Sequence, residues 1–146
     1  MTVWKRKWRQ AVDKTLNYLA LARKAGLAEL GEEPVGAAAR AEKAHVILVA
    51  GDASDHTWRR AKSFAAGTDQ QCLRLTCTKE EMGFAIGRTS LAIAAITDAE
   101  LALALAKSLP RVPAGTLEVL EGKAVKQKKH RQEAKAHQRN RRKGKK

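Results

Sequence analysis

A chain of 146 residues with 44% apolar content supports one domain around one core, which excludes a multidomain assembly. Its formal charge of +14 is unevenly placed: 123–146 carries +11, the first nine residues carry +4, and 10–122 is left at −1. Basic character is thus appended to a nearly neutral body, which points to a polyanion such as nucleic acid as partner, with a solvated tail as the plainer alternative. The only cysteines, Cys72 and Cys77, sit at the two ends of one short expected strand, so pairing them would fold it back on itself; free thiols in a reducing compartment are expected. The absence of a long apolar run leads to the expectation of a cytoplasmic protein with neither signal peptide nor membrane span.

In chain order, Met1, Trp4, Trp8, Val12, Leu16 and Leu19 share one stripe at helical spacing and predict a long helix ending near Gly26. Its first turns, 1–12, form a basic extension projecting from a domain that spans 13–110. Trp4 and Trp8 can stack on bases there, although a tryptophan pair four residues apart more often packs against protein. The stretch 30–55 organises the rest. Gly31 supplies a backbone that can approach a ligand, Pro34 suits the first helical position with Glu33 as N-cap, and 46–50 is a continuous apolar run. Such a run predicts a central strand covered on both faces.

Asp52 and Ser54 offer caps for a helix to about residue 66, where Gly67 stops it. A strand follows at 72–76. Thr78 with Glu81 forms a capping box for a short helix ended by Gly87, and 91–96 reads as the next strand. Thr97 with Glu100 repeats the box, and Pro110 stops the helix it opens. Alternating strands and helices predict parallel pairings, crossover helices on both faces and a three-layer α/β/α sandwich. Residues 111–122 read as a linker in which 116–121 is either a strand or the first turn of a tail helix. The tail, 123–146, has too few apolar residues to fold alone and is expected to be disordered or only conditionally helical, as on a phosphate backbone.

Chemistry-bearing residues do not gather along the sequence. His45 precedes the central strand, His56 opens a helix, and His130 and His137 lie in the tail, without metal-ligand spacing. Cys72 reads as a small buried hydrophobe rather than a nucleophile beside His45. Glu32 and Glu33 point to different sides of a helix start, and GEEPVG lacks the Gly-Lys-Ser/Thr ending of a nucleotide loop. No reaction, cofactor or metal is expected. A recognition surface remains: the loops at Gly31 and at Gly87, Arg88, Thr89 and Ser90 can share one end of the sandwich, where free helix-start amides favour a phosphate or base edge. Either loop can equally be a plain turn.

The segments LARKAG, LGEEPV, AHVILVAGDAS and TKEEMGFAIGRTSLAIAAITD, in this order, resemble the bacterial YlxQ-like branch of the ribosomal-protein superfamily typified by archaeal L-seven-Ae and eukaryotic L-thirty-e. The resemblance covers about 16–109. It implies an α/β fold with a small, mostly four-stranded mixed sheet, binding to structured RNA, commonly the kink-turn, and a ribosomal or ribosome-associated role in translation. It places RNA contacts at Gly31, Glu32, Glu33, Pro34, Val35 and Ala37 and at Gly87, Arg88, Thr89 and Ser90. Arg23 and Lys24, with Lys128, Lys129, Arg131, Arg139, Arg141, Arg142 and Lys143 of the tail, supply basic contacts. The sequence departs from the kink-turn pattern at Glu33 and Pro34, where asparagine and glutamate are usual, at Ala37, where lysine is usual, and at Leu27, where a basic residue follows the glycine. An alternative is a monomeric scaffold that docks a protein through Trp4, Trp8 and Trp58 while the tail binds RNA non-specifically.

Overall fold

The computed structural model describes residues 3–143, with side chains over 14–141. The elements are α1 (Val3–Lys24), β1 (Ala28–Leu30), α2 (Glu32–Arg40), β2 (Val46–Val49), α3 (Asp55–Ala65), β3 (Gln71–Arg74), α4 (Lys79–Ala85), β4 (Ile93–Ile96), α5 (Ala99–Ser108) and α6 (Thr116–Lys143). One four-stranded mixed sheet runs β1-β4-β2-β3. Helices α2 and α3 pack together on one face, and α1, α5 and α6 pack in succession on the other. The architecture is the expected α/β sandwich.

Strand β2 is central, as its apolar run requires: Val46, Ile47, Leu48 and Val49 are all 0% exposed. Its neighbour β4 is buried throughout as well. The expectation of parallel pairings is corrected, because β2 runs parallel to β3 alone and β4 runs antiparallel to both β1 and β2. The reason lies in how α4 sits. The β3–β4 connection, residues 75–92, is long enough for a parallel return, but α4 is a seven-residue helix, about 10 Å long, and the chain folds back along it. The chain leaves α4 at the end where it entered, with the Leu91 amide donating to the Lys79 carbonyl at 2.9 Å, so β4 sets off in the opposite direction. Strand β1 has no counterpart in the sequence reading, since three residues carry no measurable period.

Caps follow local chemistry with two shifts. Thr78 and Glu81 form both halves of the capping box, and Ser54 caps α3 by accepting from the Thr57 amide. Asp52 is drawn instead to the Lys79 amide at 2.8 Å, where it bridges two helix starts. At α5 the cap is Asp98, which accepts from the Leu101 amide; the expected Thr97–Glu100 box is not formed, and Glu100 meets Arg131 of α6 at 3.4 Å. Trp4 and Trp8 lie outside the residues whose side chains are described.

Helix α6 begins at Thr116, inside the stretch read as a linker, and continues through the polybasic stretch, so 116–121 is helical. Its first half is anchored. Leu120 is fully buried, Thr116 Oγ1 donates to Gln71 Oε1 at 2.9 Å, and Lys123 pairs with Asp69 at 3.1 Å. Gln127 accepts the Ala99 amide at 2.8 Å and donates to Asp98 at 2.7 Å, closing the start of α5. Residues 128–141 are all exposed and built from good helix formers, so the helix runs on past its last anchor at Arg131.

His45, on the lead-in to β2, has a pKa lowered by burial first and by the Lys123 ammonium second, with Asp98 and Asp69 opposing, and its buried Nδ1 has no hydrogen-bond partner. In the unfolded chain it takes up a proton near 6.5, whereas the folded chain resists protonation to a lower pH. The unfolded state therefore binds more protons in that window, and stability falls as pH drops below about 6.5. Urea midpoints of the wild type and of His45→Gln at pH 7.5 and 5.5 test this: the variant is expected to lose less stability between the two. An identical loss in both proteins contradicts the assignment.

Candidate nucleic-acid interface

Gly31 joins β1 to α2 with φ 95°, a conformation that favours glycine. Its amide donates to the Ile93 carbonyl at 3.0 Å, and its carbonyl accepts the Val35 amide at 3.1 Å, the first bond of the helix. Gly31 is therefore the N-cap, which corrects the placing of Glu33 there; Pro34 falls one turn inside, at another position whose amide has no helical partner. No side chain caps this start. Since proline has no N–H, the amides of Glu32 and Glu33 are the donors that α2 presents outward. Their carboxylates are treated differently: Glu32 forms an ion pair with Arg60 of α3, and Glu33 is exposed. Val35 is fully buried, so its side chain supports the helix start from the core, whereas Ala37 is exposed.

The second loop meets this start at the head of β4. Gly87 takes φ 76°, and the Arg88 amide donates to the Gly83 carbonyl at 2.8 Å, which folds the chain back along α4. The fold-back is tight because Gly83 has no side chain: a Cβ there would stand 2.5 Å from Ser90 Cα. Gly87, Arg88, Thr89 and Ser90 are exposed, and three residues later Ile93 receives the Gly31 amide. The starts of α3 and α4 lie at the same end of the sheet. Gly51 continues β2 and donates to the Cys77 carbonyl at 2.8 Å, and Arg74 reaches the carbonyls of Gly51 and Ala53 at 3.2 Å each. One end of the sandwich thus presents three helix starts and the 87–90 loop.

The remaining candidates fall at the opposite end. Arg23 and Lys24 occupy the last turn of α1, just before Leu27 accepts the Thr97 amide at 2.9 Å beyond the far end of β4. Helices α2 and α3 end on this side too, with Arg40 and Lys62 in their last turns, where cations complement the negative helix ends. Anchored at Asp69 and Asp98, α6 carries Lys128, Lys129, Arg131, Arg139 and Arg141 from this basic end, all exposed. The side chains of Arg142 and Lys143 lie outside those described. Sequence reasoning missed Gln70, 4% exposed, which accepts the Ala44 amide and donates to the Ala39 carbonyl, both at 3.1 Å, closing the end of α2.

Reactive groups are poorly placed for chemistry. Burial pushes the Cys72 thiol up to about 11 and the Cys77 thiol up to about 12, so both stay protonated. Among the described residues, no three His, Cys, Asp or Glu side chains gather as a metal site, and no helix is long and apolar enough to cross a membrane. Trp58 is half-buried, with Lys62 and Arg74 5.6 and 5.7 Å from its ring.

No protein-family model matches the sequence, and no curated protein does. Solved structures do match in fold. A protein of unknown function from Bacillus halodurans superposes with a TM-score of 0.62 at 23% identity, covering 67% of this chain and 98% of that one. The Giardia lamblia 15.5kD RNA binding protein superposes at 0.58 with 16% identity, covering 75% of this chain and 89% of that one.

The tight return at Gly83 makes Gly83→Ala a test of how the second loop is held. The added methyl meets backbone, so the loop must shift, and a loss of about 1–3 kcal/mol in urea unfolding is expected. Faster hydrogen exchange at Arg88 and Leu91 accompanies it, since the amides of both hold the return. Unchanged stability and exchange contradict this packing.

Proposed function

We propose that the chain is a cytoplasmic, ribosomal or ribosome-associated RNA-binding protein, without a reaction of its own, that recognises structured, kink-turn-like RNA. The observation that carries the reading is the meeting of the Gly31 helix start with the 87–90 loop across the Gly31–Ile93 hydrogen bond. These are the two segments that the resemblance to the YlxQ-like branch of the L-seven-Ae and L-thirty-e superfamily assigns to RNA. A fold shared with an RNA-binding protein from Giardia supports the same direction.

In this reading the amides of Glu32 and Glu33 and the Glu33 carboxylate address base edges, because a carboxylate accepts hydrogen bonds from amino and imino groups but repels phosphate. Arg88, Thr89 and Ser90 hold the backbone. Pairing with Arg60 removes the Glu32 charge from the balance. Phosphate attraction comes mainly from α6, which engages RNA beyond the domain's recognition end. A second reading, a protein-binding scaffold, draws support from Glu33, Asp52 and Asp55, exposed carboxylates at this end that oppose a phosphate backbone.

Truncation at Gly122 removes the anchors Lys123 and Gln127, so neutralising substitutions are the cleaner test. The full chain and a Lys128→Gln, Lys129→Gln, Arg139→Gln, Arg141→Gln variant are titrated with a kink-turn RNA and an unkinked duplex across a salt series. The variant is expected to lose up to about 3 units of slope in log affinity against log salt while keeping its preference for the kinked RNA. Equal affinity for both RNAs that disappears with the four charges overturns the kink-turn reading and favours the scaffold.

A further inference from the structure

Phe84 is 88% exposed. Helix α4 shows why it points away from protein: at 100° per residue, Met82 and Ile86 share the buried face, and Phe84 lies about 200° from Met82, on the opposite side. Leaving a phenyl ring in water forgoes about 1.5–3 kcal/mol of burial, and the helix has no internal need for one there. Its position is specific. The Gly87 amide donates to the Phe84 carbonyl at 3.3 Å, the Arg88 amide donates to the residue before it, and Ser90 backbone covers Gly83, so the ring stands beside the 87–90 loop.

We infer that Phe84 is a stacking platform for an unpaired nucleobase of the RNA bound at the 87–90 loop, an inference that rests on the RNA-binding reading above. Two features favour a base over an apolar protein surface. The neighbouring loop side chains are a guanidinium and two hydroxyls, all exposed, which suit a phosphate-sugar backbone running past an isolated ring. Among the described residues the other exposed large apolar side chains are Leu21 and Val125, on α1 and α6, so within them the ring belongs to no wide apolar patch of the kind that docks proteins. A flat face with no polar group stacks on any base, so the contact adds affinity with little sequence preference, and it selects for RNA that presents an unstacked nucleotide.

The test compares the full-length wild type with Phe84→Ala, Phe84→Leu, Phe84→Trp and Arg88→Ala, titrated with the kink-turn RNA and the unkinked duplex. Phe84→Ala is expected to weaken kink-turn binding about tenfold while leaving duplex binding unchanged. Phe84→Leu is expected to restore little, because it returns apolar area without a π face. Phe84→Trp is expected to bind as well as wild type, with emission in excess of the wild-type signal that is quenched as the RNA binds. Wild-type affinity in Phe84→Ala, or full restoration by leucine, overturns the stacking role while leaving RNA binding intact if Arg88→Ala still weakens it. If the wild type binds the kink-turn RNA and the unkinked duplex alike, the functional reading fails and this inference fails with it.

Discussion

The structure depends on one junction, at Gly31. Its amide is spent on Ile93 of the sheet and its carbonyl on Val35 of the helix, so a single residue belongs to both layers. That double use requires φ 95°, a conformation costly to any residue with a Cβ. Because Ile93 is also where the chain enters β4 from the 87–90 loop, the junction fixes the helix start and the loop relative to each other. Two segments more than fifty positions apart become one surface through a 3.0 Å hydrogen bond.

The second organising feature is the separation of charge. The end with three helix starts carries Glu32, Glu33, Asp55, Glu80 and Glu81 in first turns, where they complement positive dipole ends. The opposite end has Arg23, Lys24, Arg40 and Lys62 in last turns and the base of α6, while α5 runs the other way with Glu100 in its first turn and Lys107 in its last. This arrangement stabilises each helix locally. Anchoring of α6 by Asp69, Asp98 and Glu100 holds the start of the basic stretch in a set direction, so its charge is delivered as a projecting helix. Burial first and the Lys123 ammonium second lower the pKa of His45, so one anchor of α6 also bears on the lead-in to β2.

Much of the fold was legible because local signals agreed. The buried run at 46–50, the capping box at Thr78 and Glu81, the Ser54 cap and the stops at Gly26 and Gly67 each have a short-range physical cause, and each appears in the structure. The misreadings share a cause as well. Each cap was set by a sheet bond: the Thr97 amide is held by the Leu27 carbonyl, leaving Asp98 to cap α5, and the Gly31 amide is held by the Ile93 carbonyl, which starts α2 two residues ahead of Glu33. Strand β1 escaped notice because it exists only through its pairing with β4.

Composition and periodicity by themselves determined that this protein is one α/β domain with a central apolar strand, capped helices and a basic end, since burial, capping and charge act over a few neighbouring residues. Tertiary structure decided the rest. The direction of β4 followed from the chain folding back along α4, where the Leu91 amide returns to the Lys79 carbonyl. The division of one list of basic and loop residues between two ends followed from which ends of the strands they flank, and the exposure of Phe84 followed from the face of α4 that Met82 and Ile86 had already taken. None of these can be read locally, because each depends on where the chain returns after a turn.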